Sequence, residues 1–429
     1  MEKRLLIIHG KVIASGANLD DGAVLLCGSR ITKVGLSSAL RGEAVDAVID
    51  AAGRIVAPGF IDMHVHGGSG ADTMDAAAEA LHRMAAFGAS HGVTGFLPTV
   101  MSCPLELMLE ACNAASREAC KPRAVGPEAS ASTSASASTS ASASASSSAS
   151  ASASAKTTIH GAYILGINVE GPFLNPCHKG AQPEGGIIPP DPAVLEKLLR
   201  AGGGHILAMT VAPEIDGALS IIEVLASKGV LASAGHSDAA YAQMQAGVAS
   251  GLRHVTHMYN GMRGLHHREP GLVGAALVLD DLTCEMIADG IHVHPGAMQL
   301  AARMKRSTGV CLITDAMRAA GLADGDYELG GQHVIVSAGA ARLESGSLAG
   351  STLTMDAAVR NVVRMGVATL PEAIAMASTT PARQIGLAGR KGELRAGMDA
   401  DIVILESGSL TVDATIAMGD VVYQRSQLC

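Results

Sequence analysis

Two histidines two residues apart, His64 and His66, begin a series of ionisable side chains that stand where short apolar runs end. The first run closes as Asp62-Met63-His64-Val65-His66, and a spacing of two puts both imidazoles on one face of a strand. Later runs close at Glu170-Gly171-Pro172, Gly235-His236-Ser237, His257 and Thr314-Asp315. Carboxylates and imidazoles are costly to bury, so their repetition at the ends of apolar segments speaks for one shared site. Four imidazoles and two carboxylates, with no thiolate beside them, form a nitrogen and oxygen donor set for Zn²⁺, Fe²⁺ or a similar divalent ion. The chemistry such a set serves is hydrolysis.

Six residues spread between positions 64 and 315 need a scaffold that gathers them. Eight runs read as strands: Phe60–Val65, Val93–Val100, Ala162–Val169, His205–Val211, Gly229–Ala234, Arg253–Thr256, Thr283–Ala288 and Gly309–Thr314. Helical patterns lie between them, among them Ala76–Ser90, Pro192–Arg200, Ala218–Lys228, Ala239–Ser250 and Pro295–Ser307. Strand and helix alternating eight times predict an α/β fold, a (β/α)₈ TIM-like barrel, whose strand ends converge on one mouth where active sites sit. The two ends of the chain differ. Short strands with glycine turns are expected at Leu5–Ile8, Val24–Cys27, Ile31–Val34 and Ala47–Asp50, and again at Asp401–Leu405, Ala414–Met418 and Val421–Gln424. The economical reading is a small β-sandwich built from both termini, residues 1–56 and 381–429, around a barrel of residues 57–380.

Within the barrel segment, every residue from Ala129 to Ala155 is Ala, Ser or Thr. Alanine offers too little apolar surface to offset chain entropy, so this tract is expected to be a disordered insertion. The chain as a whole is 48% hydrophobic and 17% charged, enough for a large core. A net charge of −9 argues against nucleic acid or an anionic membrane as partner, and no apolar run reaches the length of a bilayer span. The eight cysteines show no CxxC spacing, which suits reduced thiols and a cytoplasmic location. His9, His82, His91, His160 and His205 read as surface or packing residues, whereas His178, His254, His266 and His294 flank the site motifs. The 19 methionines read as core filler in a chain that is only 2% aromatic, and Gly202–Gly204 as a turn.

The stretch Pro58-Gly59-Phe60-Ile61-Asp62-Met63-His64-Val65-His66 resembles the opening of amidohydrolase-superfamily barrels. Val169-Glu170-Gly171-Pro172-Phe173, Ala234-Gly235-His236-Ser237-Asp238, Thr256-His257-Met258-Tyr259-Asn260 and Leu312-Ile313-Thr314-Asp315-Ala316 are similar to motifs of the N-acetylglucosamine-6-phosphate deacetylase family. So are His267-Arg268-Glu269-Pro270-Gly271, Asp289-Gly290-Ile291-His292 and Leu348-Ala349-Gly350-Ser351. The resemblance implies a barrel with a β domain from both termini and a metal-dependent deacetylase. It implies Glu170, His236 and His257 as ligands of the metal common to the family, and Asp315 as general acid and base. With both His64 and His66 present, the chain resembles the branch that holds two ions, one or two per subunit, Glu170 bridging and Asp315 close to the second. Asn260, the Gly261 backbone, Arg268 and His292 match residues for the sugar phosphate and hydroxyls, Leu348 the acetyl and sugar pocket, and Gln182 a residue near the substrate carbonyl. The family's arginine comes from the neighbouring subunit, which implies a homodimer. Asn168 stands where many members have a histidine. The expected reaction is deacetylation of N-acetylglucosamine 6-phosphate. The galactosamine epimer is an open alternative, the phosphate-type motif at 266–271 argues against a cyclic amide, and a non-catalytic scaffold is expected to have lost ligands.

Overall fold

A computed structural model describes residues 2–14, 17–119 and 161–425. The Ala/Ser tract and His160 lie outside the described residues. Eight strand positions form a parallel sheet that curls into a barrel, from Phe60–Val65 through Val93–Met101, Ile167–Glu170, Ile206–Val211, Leu231–Ala234, His254–Val255 and Thr283–Ile287 to Val310–Ile313. Each of the eight expected strands is present, several shorter than the apolar run suggested. The third is split, its first piece Tyr163–Ile164 pairing with Gly95 and Phe96 before Ile167 begins the second. The sixth is only two residues long. The seam between first and eighth strands is closed locally: Asp315 N donates to the His64 carbonyl and His66 N to that of Ala316, both at 2.9 Å. The buried Asp62 carboxylate adds to this closure, accepting from Thr314 Oγ1 at 2.6 Å and Thr314 N at 3.2 Å.

Helices return the chain between strands and cover the barrel. Pro192–Ala201 starts with an Asp191 side chain accepting from Ala193 N at 2.7 Å and with proline in its first turn, both favourable at a helix start. Gly271–Val278 is apolar throughout and buried at seven of its eight positions, so it lacks the periodicity that marks an amphipathic helix. After the eighth strand comes an antiparallel sheet of Gly325–Leu329, Gln332–Ser337 and Ala340–Leu343, an addition to the expected elements. Its Leu329 and Val334 pack with Met101 and Met317, and Gln332 Nε2 donates to the Ala181 carbonyl at 2.6 Å.

A second sheet takes strands from both ends of the chain, among them Arg4–Ala14, Ala17–Cys27, Ile55–Pro58, Ile402–Leu405 and Val412–Ala417. Arg4–Ala14 bends at its bulge, pairing its first half with Ala47–Asp50 and its second with Ile55–Pro58. Alternation decides the packing. Leu5, Ile7, Val24, Leu26, Ile402 and Ile404 fill the domain's own core, while Val403 and Leu405 point into the barrel's core cluster. Thr415 Oγ1 donates to the Ala89 carbonyl and Gly59 N to that of Asp401, fastening the two parts. The expected division at 56/57 falls within the strand Ile55–Pro58, and that at 380/381 within the helix Thr379–Gln384. Among the described residues no helix is long and apolar enough to cross a membrane.

Candidate metal centre

The strand ends deliver the six predicted ligand side chains to one mouth, in two buried groups: His64, His66 and Asp315, and Glu170, His236 and His257. Local backbone geometry turns them inward. His236, His257 and Asp315 have φ of 47°, 27° and 49°, a region non-glycine residues seldom occupy and one that recurs at functional sites. Glu170 lies between the groups. Its Oε1 is 2.9 Å from Nε2 of both His236 and His257, and its Oε2 is 3.2 Å from His66 Nε2. Asp315 Oδ1 is 3.3 Å from His66 Nε2 and 3.7 Å from His64 Nε2.

The donor set fits a cation. His236 Nδ1 faces the His178 carbonyl at 2.9 Å, and a carbonyl only accepts, so the hydrogen sits on Nδ1 and a neutral ring presents a lone pair at Nε2. That lone pair meets the Glu170 carboxylate and, at 3.1 Å, His257 Nε2. His64 Nε2 and His66 Nε2 face each other at 3.3 Å in the other group. Acceptors crowded against acceptors need positive charge between them, supplied by protons or by an ion. Burial disfavours charge on His64, His66, Glu170 and Asp315, but their mutual attraction prevails: His64 is held well above its ordinary pKa, His66 is pushed up to about 10, and the Glu170 and Asp315 carboxyls are held below theirs.

Supporting residues explain the motif glycines. Gly171 has φ +98°, and a Cβ there would overlap Ser102 Oγ, which donates to the Glu170 carbonyl at 2.9 Å. Gly261 has φ +59°, and a Cβ would come within 3.1 Å of His236 Nδ1. Gln182 is buried, its Oε1 accepting from Ser102 N at 2.8 Å and its Nε2 donating to Glu170 Oε2 at 2.7 Å. In this structure its amide therefore orients the Glu170 carboxylate. Asn168 Nδ2 is 3.3 Å from Thr99 Oγ1 and is part of strand packing.

The open pocket above the ligands has an empty volume of about 810 Å³, and Gln182, Asn260, Gly261, His292 and Leu348 all line it. His292 Nδ1 is 2.6 Å from Asp289 Oδ2, leaving Nε2 for a ligand. Both hydrogens of the Asn260 amide nitrogen are engaged, by the His257 and Met258 carbonyls at 3.2 Å. Arg268 is the exception among the predicted residues. It is exposed, outside its own chain's pocket, with Nη1 2.9 Å from His267 Nε2. His82 and His91 pair with Glu118 and Asp356, as expected of packing residues. His178 serves the site through its carbonyl. Sequence reasoning passed over Glu285, a carboxylate 3% exposed on the seventh strand and 2.9 Å from His64 Nδ1. Its one visible signal was a lone charge in an otherwise apolar strand.

Residues 55–422 match the amidohydrolase family, and the chain belongs to it. The metal-dependent chemistry of that family accords with the two ligand groups. More specifically, the chain is 38% identical to the N-acetylglucosamine-6-phosphate deacetylase of Lysinibacillus sphaericus, over 90% of this chain and 89% of that one. It is 39% identical to an N-acetylgalactosamine-6-phosphate deacetylase of Escherichia coli, over 83% of this chain and 84% of that one. Its fold matches a variant of the Mycobacterium smegmatis N-acetyl-D-glucosamine-6-phosphate deacetylase, solved in complex with N-acetyl-D-glucosamine-6-phosphate, with TM-score 0.83 and 30% identity, covering 98% of this chain and 100% of that one.

Proposed function

We infer that the protein hydrolyses the acetamide of N-acetyl-D-glucosamine 6-phosphate to D-glucosamine 6-phosphate and acetate. The observation that carries this reading is the convergence of both ligand groups and the pocket residues Asn260, Gly261, His292 and Leu348 at one barrel mouth. The nitrogen and oxygen donors would suit Zn²⁺ or Fe²⁺, with His64, His66 and Asp315 to hold one ion and Glu170, His236 and His257 to hold another. A divalent ion in such a site lowers the pKa of water toward neutrality and polarises the acetyl carbonyl.

Asp315 does the proton work. Its carboxylate is held in the charged form, so it accepts a proton from the attacking water and passes it to the amine, a poor leaving group unless protonated. His292, with Nδ1 committed to Asp289, offers Nε2 to a sugar hydroxyl. Asn260 reaches a phosphate by exchanging one of its carbonyl partners for a phosphate oxygen. Arg268, exposed in its own chain, acts on the phosphate in a partner's pocket, and the exposed Leu265 and Val278 suit burial in the same homodimer interface. The six free cysteines among the described residues agree with a reducing, cytoplasmic setting.

The galactosamine epimer is the second reading, favoured by the 39% identity to the Escherichia coli enzyme. Acetate release from both N-acetylhexosamine 6-phosphates, with ion content measured on the same sample, tests the two together. Faster turnover of the glucosamine substrate is expected. Preference for the epimer selects the second reading, and turnover of neither refutes both.

A further inference from the structure

Glu285 sits at the middle of the seventh barrel strand, Thr283–Ile287, beneath the candidate metal centre and closed off from the open pocket. One of its oxygens, Oε2, is 2.9 Å from His64 Nδ1 and accepts from His257 N at 3.0 Å. The other, Oε1, is 3.4 Å from Nε2 of the buried His254. We propose that Glu285 is a positioning residue that sets the tautomer of His64 and ties the two ligand groups together. The inference rests on the reading that both groups hold ions.

The argument is one of donors and acceptors. A carboxylate only accepts, so a neutral, ion-binding His64 would keep its hydrogen on Nδ1 and turn a bare Nε2 toward His66 and Asp315. The opposite tautomer would aim an N–H into the space an ion must fill. The same oxygen holds the amide of His257, whose φ of 27° leaves its backbone in need of outside support. The atom thus meets a ligand of each group, but it reaches the His64 ring itself and only the backbone of His257. The dependence is unequal, because His236 has its own support in the His178 carbonyl, while the Nδ1 atoms of His66 and His257 have no hydrogen-bond partner among the described residues. Of the four imidazoles, among the described residues His64 alone has its Nδ1 held by an ionisable side chain.

Loss of Glu285 should therefore weaken the His64 group first. The test titrates metal-free wild type, Glu285→Ala, Glu285→Gln, His64→Ala and the two double variants with Zn²⁺ by equilibrium dialysis. Circular dichroism reports folding. Glu285→Ala is expected to weaken one ion about 10- to 100-fold, the usual effect of removing a partner that orients a ligand, and to leave the other near wild type. Glu285→Gln keeps an oxygen for His64 and His257 and should weaken the same ion less. In the His64→Ala background neither change should weaken binding further. If Glu285→Ala does not fold, the Gln variant and its double mutant carry the same comparison. Wild-type affinity for both ions in the Glu285 variants, equal weakening of both, or effects that add to His64→Ala would overturn the inference alone. A wild type that binds one ion, indifferent to His64→Ala, would refute the two-ion reading and this inference with it.

Discussion

Asp315→Asn isolates the proton step from the architecture around it. The residue is tied on both sides, its N donating to the His64 carbonyl at 2.9 Å and its carbonyl accepting from Ser351 N at 2.7 Å. An asparagine of nearly equal volume keeps that backbone and an oxygen near His66 Nε2, now 3.3 Å from Oδ1. Proton affinity is what disappears. General acid and base catalysis is worth about 10²- to 10⁴-fold, so kcat should fall at least ~10²-fold, about 2.7 kcal/mol of barrier. Substrate contacts are spared, so KM should stay within about threefold. Acetate release at varied substrate and pH, with ion content measured in parallel, reads each quantity. Burial works to raise the Asp315 carboxyl, but the charges of His64, His66 and His257 hold it below its ordinary value. A base acts deprotonated, so wild-type activity should be lost only as pH falls through that lowered value, and the Asn variant should lack this limb. Near-normal kcat with full ion content would refute the assignment. Loss of kcat together with an ion would make Asp315 chiefly a ligand.

The remaining predictions test the scaffold and the partner. Replacing His64 and His66 by alanine should remove one ion and leave the Glu170, His236 and His257 group filled, as read by elemental mass spectrometry; two retained ions would exclude the His64 group as a metal site. Gly171→Ala forces a side chain onto φ +98° and into Ser102, so unfolding should cost about 1–3 kcal/mol less in a denaturant titration; an unchanged midpoint refutes the steric account. Deleting residues 130–154 should leave turnover within twofold, because the flanking described elements are the end of helix Leu105–Glu118 and the start of strand Tyr163–Ile164, and strand starts lie opposite the ligand ends; a larger loss with the fold intact would tie the tract to the site. Arg268→Ala should raise KM at least ~10-fold for the phosphorylated sugar and much less for N-acetylglucosamine, and mixing it with Asp315→Asn chains should restore some activity. Equal penalties would remove Arg268 from phosphate binding, and no recovery despite subunit exchange would place it in its own chain's site.

What the sequence revealed of the site and what it withheld follow from the range of the interactions. The six candidate ligand residues were legible as one cluster because a strand end is a local signal, and the barrel supplies their meeting place without knowledge of any pair. Asn260, Gly261, His292 and Leu348 carry no such signal and entered only through resemblance. Glu285 was missed because its meaning lies in His64, 221 residues earlier, and only the closure of first strand against eighth brings them together. Gln182 was expected near the substrate carbonyl and does line the pocket, but nothing local says that Ser102 N takes its oxygen and turns its nitrogen to Glu170. The three-stranded sheet was readable: Gly330-Gly331 and Ala338-Gly339 stand between alternating segments, a hairpin pattern that the search for barrel strands passed over.

Arg268 marks the boundary of what one chain contains. Its motif resembles a phosphate-binding one, yet it is exposed and faces a neighbouring imidazole while the other predicted residues gather elsewhere. An exposed guanidinium in water gains little from an anion, because solvent screens both charges. The same group enclosed against a phosphate by a second subunit gains a charge-assisted, two-pronged bond. The role assigned by resemblance and the position in the fold therefore agree only if the functional site is completed by a second copy. Oligomer dissociation should then raise KM for the phosphorylated substrate even where both ions remain bound.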